Sequence, residues 1–124
     1  MVEAGSQGNV VYGLARCDTC RKARKWLDAN GVAHVFIDYR DDPVPPATLA
    51  AWARQLGGWD KLVNRASTTW RALPEAAREP AGDDAWLALI AEHPTLVKRP
   101  VLTTPDGRVS VGFKEKDWAG RFGR

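Results

Sequence analysis

The sequence predicts a mixed α/β fold built on a four-stranded sheet, and three parts of the chain lead to this fold class. A strand, an amphipathic helix and a second strand follow one another within the first 40 residues. Short helices occupy the middle of the chain, and a β-hairpin followed by a last helix closes it. A strand–helix–strand unit pairs its strands in parallel and a hairpin pairs them antiparallel, so the sheet is expected to be mixed.

The strand–helix–strand unit at the start is the most clearly patterned part of the chain. "NVVYGL" at 9–14 is a short apolar run that predicts a buried strand. A helix is predicted over 18–30 because its apolar residues repeat at i, i+3, i+4 and i+7, and Asn30-Gly31 is a typical stop. "AHVFIDYR" at 33–40 alternates apolar and polar residues and predicts the second strand.

The middle and the end of the chain predict a helical block and a hairpin that returns to the sheet. The block comprises a helix from Pro46 to Gly57-Gly58, short helical pieces at 59–63 and 68–73, a loop at 75–83, and a helix at 84–93 capped by Asp83 or Asp84. Strands at 100–104 and 108–113 flank the turn "PDG", and a short helix follows at 114–122. The first hairpin strand is expected beside the strand at 9–14.

Length and composition favour one globular domain. The chain has 124 residues and a net charge of +3, with no block of five or six like charges and no aromatic-interleaved basic repeat. Direct nucleic-acid binding is therefore not expected, and no apolar run is long enough to span a membrane. The start has no apolar segment of the signal-peptide kind, so we expect a cytoplasmic protein whose thiols stay reduced.

The two cysteines of the chain stand three residues apart, at Cys17 and Cys20. Cys17 falls at the start of the predicted helix, where unpaired backbone N–H groups and the helix dipole favour a thiolate. Arg16 and its basic neighbours on the helix add positive charge. We therefore expect Cys17 to have a lowered pKa and to act as the nucleophile of the pair.

Cys20 has two interpretations that the sequence leaves open. As a resolving thiol, it would attack a mixed disulfide on Cys17 and release the product. As a packing residue, it would simply point inward with the apolar face of the helix, as free cysteines often do. A zinc site is disfavoured, since only His34 and His93 remain as ligands of the usual kind and neither has zinc-finger spacing.

A second candidate for the site lies in "LVKRPVLTT", where Arg99 precedes Pro100 and Pro100 begins a predicted strand. If that strand runs beside the first one, Arg99 points toward Cys17. The alternative is a solvated surface arginine.

The chain resembles the ArsC/Spx/YffB family over nearly its whole length, from about Val10 to Phe122. The features that carry the resemblance are "YG" before the first cysteine, the basic amphipathic helix, "FIDYRDDP", "NRASTTWRAL", and "LVKRPVL" followed by a hairpin. The combination is most similar to the YffB branch. It implies a thioredoxin-like fold at 9–124, with a helical insertion at about 46–94 and a flexible leader at 1–8.

The resemblance also implies a site and a chemistry. Cys17 is expected as nucleophile, Pro100 as a cis proline and Arg99 as an anion ligand, with Arg16, Asn64 and Arg65 as further candidates. The implied activity is that of a thiol oxidoreductase, with no bound cofactor, that uses glutathione or a partner thiol protein as co-substrate.

Two alternative functions follow from other branches of the family. One is a redox-switched regulator of the Spx kind that binds the RNA polymerase α-subunit. The other is an arsenate reductase, for which the family uses three arginines around the oxyanion. Only Arg99 matches that set here. Asn64, with Arg65 adjacent, stands where the first arginine is expected, and Gly112 stands where the third is expected.

Overall fold

The computed structural model describes residues 8–124 and places four strands in one mixed sheet, in the order β2-β1-β3-β4. The strands are β1 (Asn9–Gly13), β2 (His34–Asp38), β3 (Val101–Thr103) and β4 (Val109–Val111). β1 pairs in parallel with β2 and antiparallel with β3, and β3 pairs antiparallel with β4. The predicted fold class is confirmed, and the first hairpin strand lies beside β1 as expected.

Six α-helices and two 3₁₀ turns complete the described residues. The α-helices are α1 (Asp18–Ala29), α2 (Pro46–Leu56), α3 (Trp59–Leu62), α4 (Thr68–Arg71), α5 (Asp83–Glu92) and α6 (Glu115–Phe122). One 3₁₀ turn, Glu75–Arg78, lies within the segment predicted as a loop, and the other, Pro94–Leu96, was not predicted. Each turn follows or begins at a proline, which presets the backbone angle for a turn.

The predicted cap of α5 was wrong. Gly82, which has no side chain to serve as a cap, occupies the N-cap position, and Asp83 and Asp84 both lie in the first turn of the helix. The carboxylate of Asp83 instead accepts a hydrogen bond from the indole N–H of Trp59 at 2.8 Å. Gly82 has φ of 88°, a left-handed conformation that suits glycine and lets the chain enter the helix without a side-chain cap.

The chain divides into two compact units. The first joins the described residues up to Asp42 to Arg99–Arg124, and the second is Pro43–Lys98. The second unit contains the predicted insertion and extends slightly beyond it at both ends. Of the predicted leader, 1–8, all but Gly8 lies outside the described residues.

The first unit has a core between the sheet and the two helices α1 and α6. Its buried members come from β1, α1, β3, α6 and the loop after α1: Val11, Ala23, Leu27, Val32, Leu102 and Trp118. Trp118 is 2% exposed and packs its ring edge-on against Phe113, with 4.8 Å between the ring centroids. Because α1 is anchored in this core, the residues at its N-terminus are held at a fixed place above the sheet edge.

The second unit is organised around three stacked tryptophans. The rings of Trp59 and Trp86 lie 6.0 Å apart at 9° between planes, and those of Trp70 and Trp86 lie 5.8 Å apart at 12°. The guanidinium of Arg65 sits 5.5 Å from the Trp70 ring centre. Aromatic packing therefore joins α3, α4 and α5.

No helix within residues 8–124 is long and apolar enough to cross a bilayer. In the same part of the chain, no three histidine, cysteine, aspartate or glutamate side chains are grouped as ligands for a metal ion.

Candidate active site

Cys17 lies in the loop between β1 and α1, at the N-cap position of the helix. Its backbone N–H donates to the carbonyl of Leu14 at 3.1 Å, and its own carbonyl accepts the N–H of Arg21 at 2.9 Å. Asp38, the last residue of β2, accepts a hydrogen bond from the Ala15 N–H at 2.9 Å. The conformation of the loop is therefore fixed both by the helix that follows it and by the neighbouring strand.

Cys20 is fully buried, on the inner face of α1 one turn after Cys17. Its sulfur packs against Gly13, the last residue of β1, so closely that a Cβ at Gly13 would overlap Cys20 Sγ. The missing side chain at Gly13 therefore leaves the room that the Cys20 sulfur occupies. Both cysteines are free thiols in this structure.

The two thiols have opposite electrostatic surroundings. Burial acts to raise the pKa of Cys17, but the backbone N–H and thiol of Cys20 and the guanidinium of Arg99 favour the thiolate and bring this pKa below its ordinary value. Burial raises the pKa of Cys20 to about 11, and the charge of Cys17 adds to the rise. Cys17 is therefore the thiol that ionises first, while Cys20 stays protonated beside it.

Arg99 lies beside this pair. The peptide bond between Arg99 and Pro100 is cis, and it leads into β3. Because β3 runs antiparallel to β1, its start lies at the edge of the sheet where β1 ends and the Cys17 loop begins. The Arg99 guanidinium faces the Cys17 sulfur, and its Nη1 lies 3.5 Å from the Tyr39 hydroxyl oxygen. A positive charge thus stands next to the more acidic thiol.

The remaining predicted residues have other surroundings. Arg16 is exposed in the loop before Cys17. Asn64 and Arg65 belong to the second unit, where the Asn64 side-chain oxygen accepts the Ala66 N–H at 3.1 Å. Arg65 is exposed above the tryptophan stack. Within the first unit, the structure therefore groups both cysteines with the arginine that precedes the cis proline.

Two residues of the site were missed in the sequence. Asp38 holds the Cys17 loop, and Tyr39 contacts Arg99, yet both fall in a stretch that the alternating pattern assigns wholly to the second strand. The position of these two residues at the carboxyl end of a strand could have identified them. In parallel strands the carboxyl ends meet at one edge of the sheet, so polar residues ending β2 were candidates to approach the residues that follow β1.

The contact between Gly13 and Cys20 gives the first testable prediction. Gly13→Ala is expected to destabilise the fold by about 1–3 kcal/mol, because the added methyl group overpacks a site that the Cys20 sulfur already fills. Urea unfolding followed by circular dichroism measures this loss. Cys20→Ala removes the sulfur, so adding it to Gly13→Ala should recover most of the loss, which makes the two substitutions strongly non-additive.

A matched control for this prediction is Gly120→Ala. A Cβ at Gly120 meets nothing within 4 Å, and the residue lies inside α6, where alanine is a better helix former than glycine. Two outcomes would contradict the packing described: equal stability of the two alanine variants, or strict additivity of Gly13→Ala with Cys20→Ala.

Comparison with known proteins adds relatives that match nearly the whole chain. The model of the ArsC family matches residues 12–120. An uncharacterised protein of Haemophilus influenzae is 42% identical over 112 residues, which cover 90% of this chain and 96% of the relative. The solved structure of a YffB protein superposes with a TM-score of 0.81 at 39% identity, covering 90% of this chain and 96% of that one. An arsenate reductase (ArsC) related protein from Brucella melitensis gives a TM-score of 0.72 at 38% identity, covering 95% and 97% of the two chains.

A more distant relative belongs to a different functional class. The global transcriptional regulator Spx of Bacillus subtilis is 27% identical over 108 residues, which cover 86% of this chain and 81% of the relative. The relatives thus include both ArsC-type proteins and a regulator, which are the branches that the sequence resemblance names.

Proposed function

The chain belongs to the ArsC family, and we propose that it is a glutathione-dependent thiol–disulfide oxidoreductase with Cys17 as its nucleophile. Family membership and the likeness to an arsenate-reductase-related structure support a thiol-based reductase in general. The observation that carries the finer proposal is the pairing of an acidic thiol with a charged partner. Cys17 sits at a helix N-terminus, its pKa is lowered, and the Arg99 guanidinium faces its sulfur.

The first step of the proposed reaction is attack by the Cys17 thiolate on the glutathionyl sulfur of a mixed disulfide. The bond between substrate sulfur and glutathione sulfur breaks, a Cys17–glutathione disulfide forms, and the substrate leaves as a thiolate that takes up a proton. Arg99 favours the attacking thiolate, and the N-terminus of α1 supplies further positive potential. The step conserves electrons, because one disulfide replaces another.

The second step returns Cys17 to its reduced form. A glutathione thiolate attacks the Cys17–glutathione disulfide and releases oxidised glutathione and the Cys17 thiolate. The cycle therefore consumes one free glutathione, and the other half of the oxidised glutathione is the glutathionyl group taken from the substrate. Attack by Cys20 is the alternative route and yields a Cys17–Cys20 disulfide. The burial of Cys20 and its pKa of about 11 oppose that route, because Cys20 must be a thiolate to attack. Formation of the mixed disulfide removes the negative charge of Cys17, which is one of the causes of the raised Cys20 pKa.

The proposed glutathione site is the edge of the sheet that carries Cys17, Arg99 and Pro100. Glutathione presents two carboxylates and an extended backbone, so it needs positive charge and a backbone segment with which to pair. Arg99 supplies the charge, the residues around Pro100 supply backbone, and exposed Arg16 adds charge at the rim. We place this chemistry in the cytosol, where the glutathione pool is reduced.

The test is turnover of glutathionylated substrate in the presence of reduced glutathione, glutathione reductase and NADPH. Saturable NADPH oxidation that depends on the protein is expected, with Arg99→Ala raising the KM for the glutathione mixed disulfide. No turnover above the rate without protein, across small disulfides and glutathionylated protein alike, would contradict the proposal.

We expect negligible reduction of arsenate, which is the second prediction. Asn64 and Gly112 stand at two of the three positions where the resemblance expects arginine, and each missing arginine removes a charge-assisted hydrogen bond worth about 1.5–3 kcal/mol. Together the two losses correspond to roughly two to four powers of ten in oxyanion affinity. The measurement is arsenate-dependent NADPH oxidation with glutathione and glutaredoxin supplied. A rate comparable to that of an arsenate reductase assayed in parallel would overturn this interpretation of Asn64 and Gly112.

A second candidate function is a redox-switched regulator that binds RNA polymerase. The similarity to Spx and the paired cysteines favour it. Stable binding of the reduced or oxidised protein to the C-terminal domain of the RNA polymerase α-subunit, without glutathione turnover, would support the regulator over the enzyme.

A further inference from the structure

Tyr39 follows β2 directly and is almost completely buried, with 2% of its surface exposed. Its backbone N–H donates to the carbonyl of Gly13 at 3.0 Å, which ties it to the end of β1. Asp38, the residue before it, holds the Cys17 loop through the Ala15 N–H. The backbone of Tyr39 is therefore held at the same sheet edge as the Cys17 loop, and its side chain is buried there.

The strand order brings three separate segments to this edge. β1 and β2 are parallel, so their carboxyl ends lie together, and β3 is antiparallel to β1, so its amino end lies there too. Tyr39 follows β2, the Cys17 loop follows β1, and Arg99 stands just before β3. A buried phenol oxygen requires a hydrogen-bond partner, and the Nη1 of Arg99 lies 3.5 Å from it.

We propose that Tyr39 is a positioning residue that holds the Arg99 guanidinium against the Cys17 sulfur and thereby sets the reactivity of the Cys17 thiol. The inference rests on the proposed function only in taking Cys17 as the reacting group.

The chemistry of the phenol suits this role. A carboxylate in its place would hold a guanidinium equally well, but it would also cancel the positive charge that favours the Cys17 thiolate. A neutral phenol accepts a hydrogen bond and leaves that charge in place. Burial raises the pKa of Tyr39 above its ordinary value although Arg99 opposes the rise, so the phenol is neutral wherever Cys17 titrates.

Three side chains, Cys17, Tyr39 and Arg99, influence one another electrostatically, and Cys20 also acts on Cys17 and Tyr39. Cys20 and Arg99 act on Cys17, while Tyr39 and Cys17 act on Arg99. Cys17, Cys20 and Arg99 act on Tyr39. The Asp38 carboxylate is directed elsewhere, to the backbone N–H groups of Ala15 and Arg40. Loss of the Tyr39 hydroxyl should therefore reach Cys17 through the guanidinium.

The test is Tyr39→Phe, which keeps the ring and removes the hydroxyl. Iodoacetamide is added to the reduced full-length protein across pH 4 to 10, and the rate of Cys17 alkylation is followed by mass spectrometry. We expect the midpoint of the rate profile to move toward the ordinary thiol value. A shift of half a pH unit lowers the rate below the midpoint about threefold, since one unit is tenfold.

Two comparisons separate positioning from a general structural effect. Tyr12→Phe is the matched control: Tyr12 is the other tyrosine of the chain, on β1, and its hydroxyl bonds to Thr103. It should leave the Cys17 midpoint unchanged. In an Arg99→Gln protein the midpoint should already be raised, and adding Tyr39→Phe should shift it no further.

Each remaining outcome overturns the inference. These are an unmoved midpoint in folded Tyr39→Phe, an equal shift with Tyr12→Phe, or a full further shift in the Arg99→Gln background. If Tyr39→Phe does not fold, the wild-type protein still provides a test, because absence of a nuclear Overhauser effect between the Tyr39 ring and the Arg99 side chain would refute the contact.

The quantity measured in this test is the ionisation of Cys17 and not turnover. Failure of glutathione turnover would therefore contradict the proposed function and leave this coupling intact.

Discussion

Cys17→Ser is expected to reduce turnover of glutathione mixed disulfides to the rate without protein. The substitution replaces the thiol of lowered pKa with a hydroxyl that does not ionise at neutral pH and cannot form the mixed disulfide. The measurement is glutathione-reductase-coupled NADPH oxidation, with unfolding curves to show that the variant is folded. No other single substitution in the site is expected to have so large an effect on activity.

The matched control for this prediction is Cys20→Ser. It keeps a hydrogen-bond donor next to Cys17, and regeneration by a second glutathione needs no second cysteine. We therefore expect Cys20→Ser to retain turnover, at a reduced rate. Retained activity in Cys17→Ser, or equal loss in both variants, would show that Cys17 is not the sole nucleophile.

Trp118→Ala is expected to have the largest effect on stability, a loss of about 3–5 kcal/mol in the free energy of unfolding. Trp118 is 2% exposed and contacts Phe113, Trp26 and Phe122 in the core that anchors α1. Small domains are commonly stable by only about 5–15 kcal/mol, so this loss threatens the fold itself. Urea unfolding monitored by far-ultraviolet circular dichroism measures it.

Val35→Ala is the control for the tryptophan substitution. Val35 lies on β2 and is 41% exposed, so its truncation removes little buried surface. A loss of less than about 1 kcal/mol is expected. If Trp118→Ala cost no more than Val35→Ala, the aromatic cluster would not be the support of α1 described above.

Much of the fold was predictable because it rests on local patterns. The amphipathic spacing of α1 fixed its bounds to within one residue, since its buried residues Cys20, Ala23 and Leu27 recur at helical intervals. The hairpin was equally clear, because a turn of proline, aspartate and glycine separates two β-rich runs. Placing Cys17 at the helix start needed no more than these patterns.

The rest depends on contacts between residues that are far apart in sequence. Asp83 or Asp84 was expected to cap α5, but Gly82 is the N-cap residue, and the Asp83 carboxylate accepts a hydrogen bond from Trp59, 24 residues earlier. Tyr39 and Arg99 are 60 residues apart, and no local pattern joins them. The packing of Cys20 against Gly13 decides how much room the sulfur has, and spacing alone cannot show which strand residue a helix residue touches. These details of the site therefore came from the structure.

The pH dependence of alkylation at each cysteine tests the central claim most directly. The reduced protein is treated with limiting iodoacetamide from pH 4 to 11, and the labelled cysteine is identified by mass spectrometry at each pH. The structure predicts that Cys17 reacts first, with a midpoint below the ordinary thiol value of about 8.5, and that Cys20 resists labelling until the pH approaches about 11. Preferential labelling of Cys20, or one shared midpoint at the ordinary value, would contradict the assignment of Cys17 as the activated thiol.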